Sequence, residues 1–579
     1  MSPLSSRSRA AYLGCAVGFA LLSSASAQIP RRVRAVPTGG ILTQAASALC
    51  QDENFLFVGQ TAEGLPGVSY RIGEENGSSW TAAQSKLVDP ASQGLDPTVV
   101  IVNEEVFLCW VERRSTPTGN VDAMWFDVSP NEGETWNGIR PMNPPSFTGT
   151  RTLERYVVAA DPGARSRRLV VATLTRDVAT GARELLLHRS TNLGASFAAP
   201  LAVSTSAAST SAIPSFDVEL SETAAHVAWL EERPSSGAGR VELFQRSIAH
   251  ASGGFGAERL VSSGSFAPSA ESIDLAVDGD ALAVAWLEAQ PAGREALFFA
   301  SSLDAGASFA APREVGGANS TASSPELAVD RAAGEALLAW SETRGSSARV
   351  LARRAPLAGG ALGAESEPFG PGVVAPRLVR GAPDTGRVLL TAVRPGAVLG
   401  SITEGASAAF RAPFELLALP NGESVRPAAS AFYAFERDFV LSWVAGSGAS
   451  TRQLVGGVRP QTVAIRGGAI QAGAPLVFDL FGFPADPSGV YSQVLLAFDE
   501  GTTIFPGLLP EVGLDFDALL LTSLQVPAWQ GFLDANGRRS TPPIGVPLEL
   551  RGQALWVAAV ALNTRFELVV TDAREELVR

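Results

Sequence analysis

Residues able to do chemistry are sparse in this chain. The one asymmetric cluster is Glu154-Arg155-Tyr156, which sets a carboxylate, a guanidinium and a phenol side by side. Those groups could transfer a proton and hold an anion between planar donors. Three unlike polar groups in a row also suit a solvated surface loop, and that is the placement expected for them. Histidine occurs as His188, His226 and His250 only. The first two sit in apolar, strand-like runs and are expected to be hydrogen-bonded in the core or at a sheet edge. No His/Cys spacing suits zinc, and no twelve-residue acidic loop suits calcium. Neither a Gly-Lys-Ser/Thr phosphate loop nor a Gly-x-Ser-x-Gly elbow occurs. No metal and no cofactor is therefore expected.

The elements that would position such groups are far easier to read. The pattern Ser-x-Asp/Asn-x-Gly-x-x-aromatic recurs as Ser129, Asn131, Gly133, Trp136; as Ser190, Asn192, Gly194, Phe197; and as Ser302, Asp304, Gly306, Phe309. The short carboxylate or amide closes a turn by accepting nearby amides, and the serine hydroxyl adds a local bond. Glycine supplies the positive φ, and the aromatic folds under as an apolar plug. Residues 73–80 keep the spacing with two substitutions, and 247–255 and 401–410 are eroded versions. Beside these turns runs a second phrase, an apolar strand ending in Trp-x-Glu, at Trp110, Trp229, Trp286 and Trp340. The phrases return about every 55 residues, near the period of four-stranded propeller blades. A residue repeated in this way is expected to build the repeat, so Glu112, Glu231, Glu288 and Glu342 are assigned structural roles.

Eight units can be counted, starting near residues 44, 93, 150, 212, 268, 322, 373 and 424; seven is the alternative, because the first and last are the weakest. The last unit stops near residue 460 after three strands. Residues 33–44 are placed to supply its missing strand and remove a free edge. From residue 461 the texture changes to unrepeated short strands, which suggests a small β-sandwich. The fold class expected is all-β: a propeller over residues 28–460 followed by a sandwich over 461–579.

The turns resemble the Asp-box, or BNR repeat, of the sialidase superfamily of β-propellers, over roughly residues 44–460. That resemblance implies Asp-boxes on outer hairpins, away from the central face where such enzymes act. It also implies three arginines clamping a substrate carboxylate, a Tyr–Glu nucleophile and an acid/base Asp. The early Arg-Ile-Pro motif is missing, and the first inner strand has no arginine. Arg377 and Arg426 are the inner-strand arginines. Tyr433 falls in the final unit, where the family places its nucleophile, but at the far end of its strand. With Glu154, Arg155 and Tyr156 these are the candidate catalytic residues.

Composition narrows the classes further. The chain has 579 residues and a formal charge of −13, with a sequence pI near 5.0. It has no basic footprint for nucleic acid. Residues 1–27 read as an export signal: Arg7 and Arg9, an apolar core at 10–22, and Ala25-Ser26-Ala27 before the cleavage point. No later apolar run is long enough for a membrane helix. The expected location is therefore secreted or periplasmic. Export leaves Cys50 and Cys109, which could form a disulfide or remain two buried thiols. The function expected is a non-catalytic, monomeric propeller that binds an extracellular glycan or protein on its central face. The alternative is a divergent exo-glycosidase of sialidase type.

Overall fold

Alternate residues of a strand share a face, and this explains the Trp-x-Glu phrase. In each copy the indole Nε1–H donates to the carboxylate two residues on: Trp110 to Glu112 at 3.0 Å, Trp229 to Glu231 at 2.9 Å, Trp286 to Glu288 at 3.0 Å and Trp340 to Glu342 at 2.8 Å. All four tryptophans and all four glutamates are buried. Glu112, Glu231 and Glu342 then hold the chain segment entering the same sheet. Glu112 accepts from the amides of Val88 and Asp89 and from the Ser92 hydroxyl, and Glu231 from the Ser204 hydroxyl. Burial alone would raise the Glu342 carboxyl, but bonds from Ser320, Trp340 and Arg344 hold it below its usual range.

The computed structural model describes the chain from Arg34 to Arg579 with interruptions between strands, the longest at 499–513. The proposed export signal and Cys50 lie outside the described residues. Up to Val458 the described strands form eight antiparallel sheets. Their inner strands are Leu42–Leu49, Gln93–Val102, Arg151–Ala160, Phe216–Leu220, Pro268–Asp278, Thr321–Asp330, Val374–Arg380 and Ser424–Tyr433. In the first seven sheets the strands follow chain order outward, each paired with the one before. Successive sheets pack face to face, and the inner strand of the eighth returns to that of the first. A closed circuit of meandering antiparallel sheets is a β-propeller.

The eighth sheet contains three consecutive strands, and its fourth is Arg34–Val36, with Arg34 opposite Val455 and Val36 opposite Gln453. Of the expected segment 33–44, Arg34–Val36 completes the last sheet, whereas Leu42 and Gln44 pair with Ala62 and Thr61 inside the first. A buried amide pair bridges the same seam, with Gln60 Nε2 donating to Gln453 Oε1 at 2.9 Å.

Proline enters the inner strands at bulges. The ladder shifts register between Leu95 and Thr98, Ser323 and Glu326, and Val374 and Arg377. At each shift the residue before the proline takes a positive φ: Asp96 at 44°, Ser324 at 49° and Ala375 at 53°. The edge facing the centre of the ring has no ladder partner, so a proline is tolerated there. The bulge re-aims the residues that follow it.

The strands after residue 461 make their own sheets. Thr462–Ile465 and Phe478–Phe481 face Tyr491–Ala497 and Ala554–Leu562 across a shared core that includes Phe478, Leu480, Leu496 and Val557. A helix, Ala518–Ser523, covers the other face of the larger sheet through Leu520. The sandwich reading did not include that helix.

Candidate functional site

The three clear turns share one geometry. Ser129 Oγ accepts from the amides of Asn131 and Gly133 at 3.2 and 2.8 Å, and Asn131 Oδ1 accepts from the Thr135 amide at 2.9 Å. Ser190 and Asn192 repeat these bonds, as do Ser302 and Asp304. Two left-handed residues close each turn, among them Ala305 at φ 55° and Gly306 at 85°. The aromatics reach across a seam. Trp136 donates to the Tyr70 hydroxyl at 2.8 Å, and Phe197 stands edge-on to Phe126. The chain's only lysine, Lys86, lies 4.1 Å from the Trp136 ring centre and 2.8 Å from Asp127. These residues build sheets and seams.

The expected catalytic residues do not converge. Glu154, Arg155 and Tyr156 lie within the inner strand of the third sheet, not on a surface loop. The ladder skips Glu154, so the cluster sits at a bulge that a sequence pattern does not mark. The three side chains then part. Glu154 pairs with Arg176 at 3.0 Å and Arg183 at 2.7 Å. Arg155 donates to Ser215 Oγ at 3.1 Å. The Tyr156 hydroxyl meets the Asp96 carbonyl and Thr98 Oγ1, and burial pushes its pKa well above its usual value. Arg377 lies on the seventh inner strand with its guanidinium 2.5 Å from Glu326. Arg426 is on the eighth inner strand opposite Val444, and Tyr433 is the last residue of that strand, opposite Asp438. Cys109 is a free, wholly buried thiol, and burial pushes its pKa up to about 12.

What the inner strands do bring together is a set of carboxylates. Asp217, Asp274 and Glu326 occupy one position in three consecutive sheets, each opposite the alanine before the tryptophan; Arg377 has the next. Each acid reaches across to the following sheet. Asp217 accepts from the Leu275 amide at 3.0 Å, Asp274 from the Leu327 amide, and Glu326 from the Leu378 amide at 3.4 Å. The bonds cap free amides on the inner edges. Further along the strands, Asp278 accepts from the Arg331 amide at 2.9 Å and from Arg380, two sheets away, at 2.7 Å.

Burial, then crowding, holds Asp217, Glu219, Asp274 and Glu326 protonated to higher pH than usual. Burial pushes Asp217 up to about 6, and burial with the neighbouring Asp217 charge pushes Glu219 up to about 8. Asp274 is raised well above its usual value by burial and by Glu326. A carboxylic acid still protonated near neutrality can donate a proton or a hydrogen bond. The sequence signal for this set was a charge inside an apolar inner strand, as in Phe-Asp-Val-Glu-Leu at 216–220. Among the described residues no group of acids, histidines and cysteines is arranged to hold a metal ion.

Strand pairing and closure thus define the class as a β-propeller. No family model matches the chain, and no curated protein does. Solved structures similar to it include a prolyl endopeptidase, at 13% identity and TM-score 0.39 over 70% of this chain and 55% of that one. The Dos1 propeller aligns at 10% identity and TM-score 0.41, over 74% of this chain and 94% of that one. The Hadza microbial sialidase Hz136 aligns at 12% identity and TM-score 0.32, over 57% and 71%.

Proposed function

We propose that the protein is an exported, monomeric, eight-bladed Asp-box propeller of sialidase type over residues 28–460, with a C-terminal accessory domain over 461–579. It binds an extracellular glycan or protein at the centre of the ring without cleaving it. The observation that carries this reading is the kind of side chain at the inner strands. Carboxylates occupy one position in three consecutive sheets, while Arg377 is neutralised by Glu326 and Arg155 is spent on Ser215. A sialic acid carboxylate needs converging guanidinium groups for orientation and for transition-state stabilisation, and acidic side chains kept neutral by burial supply none. The test is a glycan array with the purified protein beside a fluorogenic sialoside assay. Retention of glycans without turnover is the expected result. Turnover abolished by Tyr433→Phe would replace this reading with the hydrolase.

One observation favours that second reading, a divergent glycoside hydrolase. Glu219 and Asp217 are close enough for one charge to raise the other's pKa, and a neutral carboxylic acid beside an ionised one is the pairing glycoside hydrolysis uses.

A further inference from the structure

A cleft of about 460 Å³ opens in the seam between the third and fourth sheets, at the strand ends opposite the Trp-x-Glu phrases. Its walls include Arg168 at the start of one strand, Arg189 at the end of another, and Glu222, Thr223 and His250 in the turns of the fourth sheet. The eroded turn explains why this seam is open. In the third sheet an added Cβ at Gly194 would lie 2.6 Å from Phe107 of the preceding sheet, and in the fifth one at Gly306 would lie 2.6 Å from Gln245. Those intact turns press against their neighbours. In the fourth sheet the corresponding turn, at 247–255, is longer, and at Gly253 an added Cβ would meet only the Arg189 guanidinium, at 3.8 Å.

Arg189 is the unusual member. Most arginines here have a carboxylate or carbonyl partner. Arg189 has no side-chain hydrogen bond or ion pair among the described residues, and its Nε is buried without an acceptor. Arg168 donates to Asp161 at 3.2 Å and to the Glu222 carbonyl at 3.0 Å. His250 Nε2 meets the Ser221 carbonyl at 3.0 Å. Burial keeps that imidazole neutral to lower pH than usual, opposed by the bond to the Ser221 carbonyl and the charge of Asp161 and aided by the charges of Arg168 and Arg189. With Arg168 paired to Asp161, Arg189 is the guanidinium of this cleft left to meet a ligand.

We infer that this cleft binds a tetrahedral oxyanion, a sulfate or phosphate ester group, held by Arg189 with Arg168 and His250 beside it. A planar guanidinium with a free fork suits such an oxyanion. The site lies away from the central face and does not depend on what that face binds.

The test uses the full-length protein with ¹³C-labelled histidine, titrated with sodium sulfate at constant ionic strength set by chloride. The His250 resonance should shift saturably, and its pKa should rise, because a bound anion favours the imidazolium over the opposition of Arg168 and Arg189. Arg189→Gln should weaken binding at least about tenfold, and Glu222→Gln, which removes the carboxylate at the rim, should tighten it. The His188 resonance, whose imidazole bonds Thr173 inside the third sheet, should not move on titration, and its persistence in each variant reports folding. Parallel titrations with glucose 6-sulfate and glucose 6-phosphate show which ester is preferred. A His250 shift that never saturates, or one identical in Arg189→Gln, overturns the proposal.

Discussion

A single carboxyl, Glu219, should make the protein's stability depend on pH in a testable direction. Its pKa in the fold, about 8, lies above the ordinary value of 4.5. The folded state therefore holds this proton where the unfolded chain has lost it, and stability falls as pH rises from about 4.5 through 8. Glu219→Gln cannot ionise. It should melt with the parent at pH 4 and above it at pH 8, as followed by calorimetry. The turns offer a second residue-scale test. Ser302→Ala removes an acceptor from two amides and should cost about 1–3 kcal/mol. Gly306→Ala should cost more, because its φ of 85° and the 2.6 Å approach to Gln245 are both unfavourable to a Cβ. Chemical denaturation ranks the two. The serine, carboxylate and glycine of these turns were legible because their partners lie within four residues. The clamps Asp217 to Leu275 and Asp274 to Leu327 were not, because donor and acceptor are 58 and 53 residues apart.

Elements show the same division between local and distant causes. The Trp-x-Glu strands could be read as repeats, since indole and carboxylate are two residues apart and the pairing is written in the strand. Glu342→Ala would leave the buried Trp340 N–H without its acceptor and cost about 1–3 kcal/mol, whereas Glu342→Gln keeps an acceptor and should cost less; thermal melts separate them. The bulge at Glu154 could not be foreseen, because a register shift of one residue reflects the partner strand. The closing strand belongs here too. Removing residues 28–40 would strip Arg34–Val36 from the eighth sheet and expose an edge. The truncated protein should melt lower and elute partly as higher-order species on size exclusion.

At the scale of the whole molecule, a net charge of −13 opposes anionic substrates. A generic fluorogenic sialoside should give no turnover at any pH from 4 to 8, and raising the salt to screen repulsion should not restore it, since the clamp is lacking as well. Detectable hydrolysis that grows with salt would locate the obstacle in charge alone.

The seam closed by Arg34–Val36 also has a consequence in time. Arg34 leaves the ribosome about 420 residues before Val455, its partner across the ladder. Every other sheet can be assembled from neighbours made within seconds of one another, but this one must wait for nearly the whole ring. Closing so long a loop costs entropy that no local turn recovers. During synthesis the chain is therefore an open arc with two adhesive ends, and a second chain's N-terminal strand is as able to complete it as its own. Dilution favours the monomeric ring; crowding of nascent chains favours exchanged pairs.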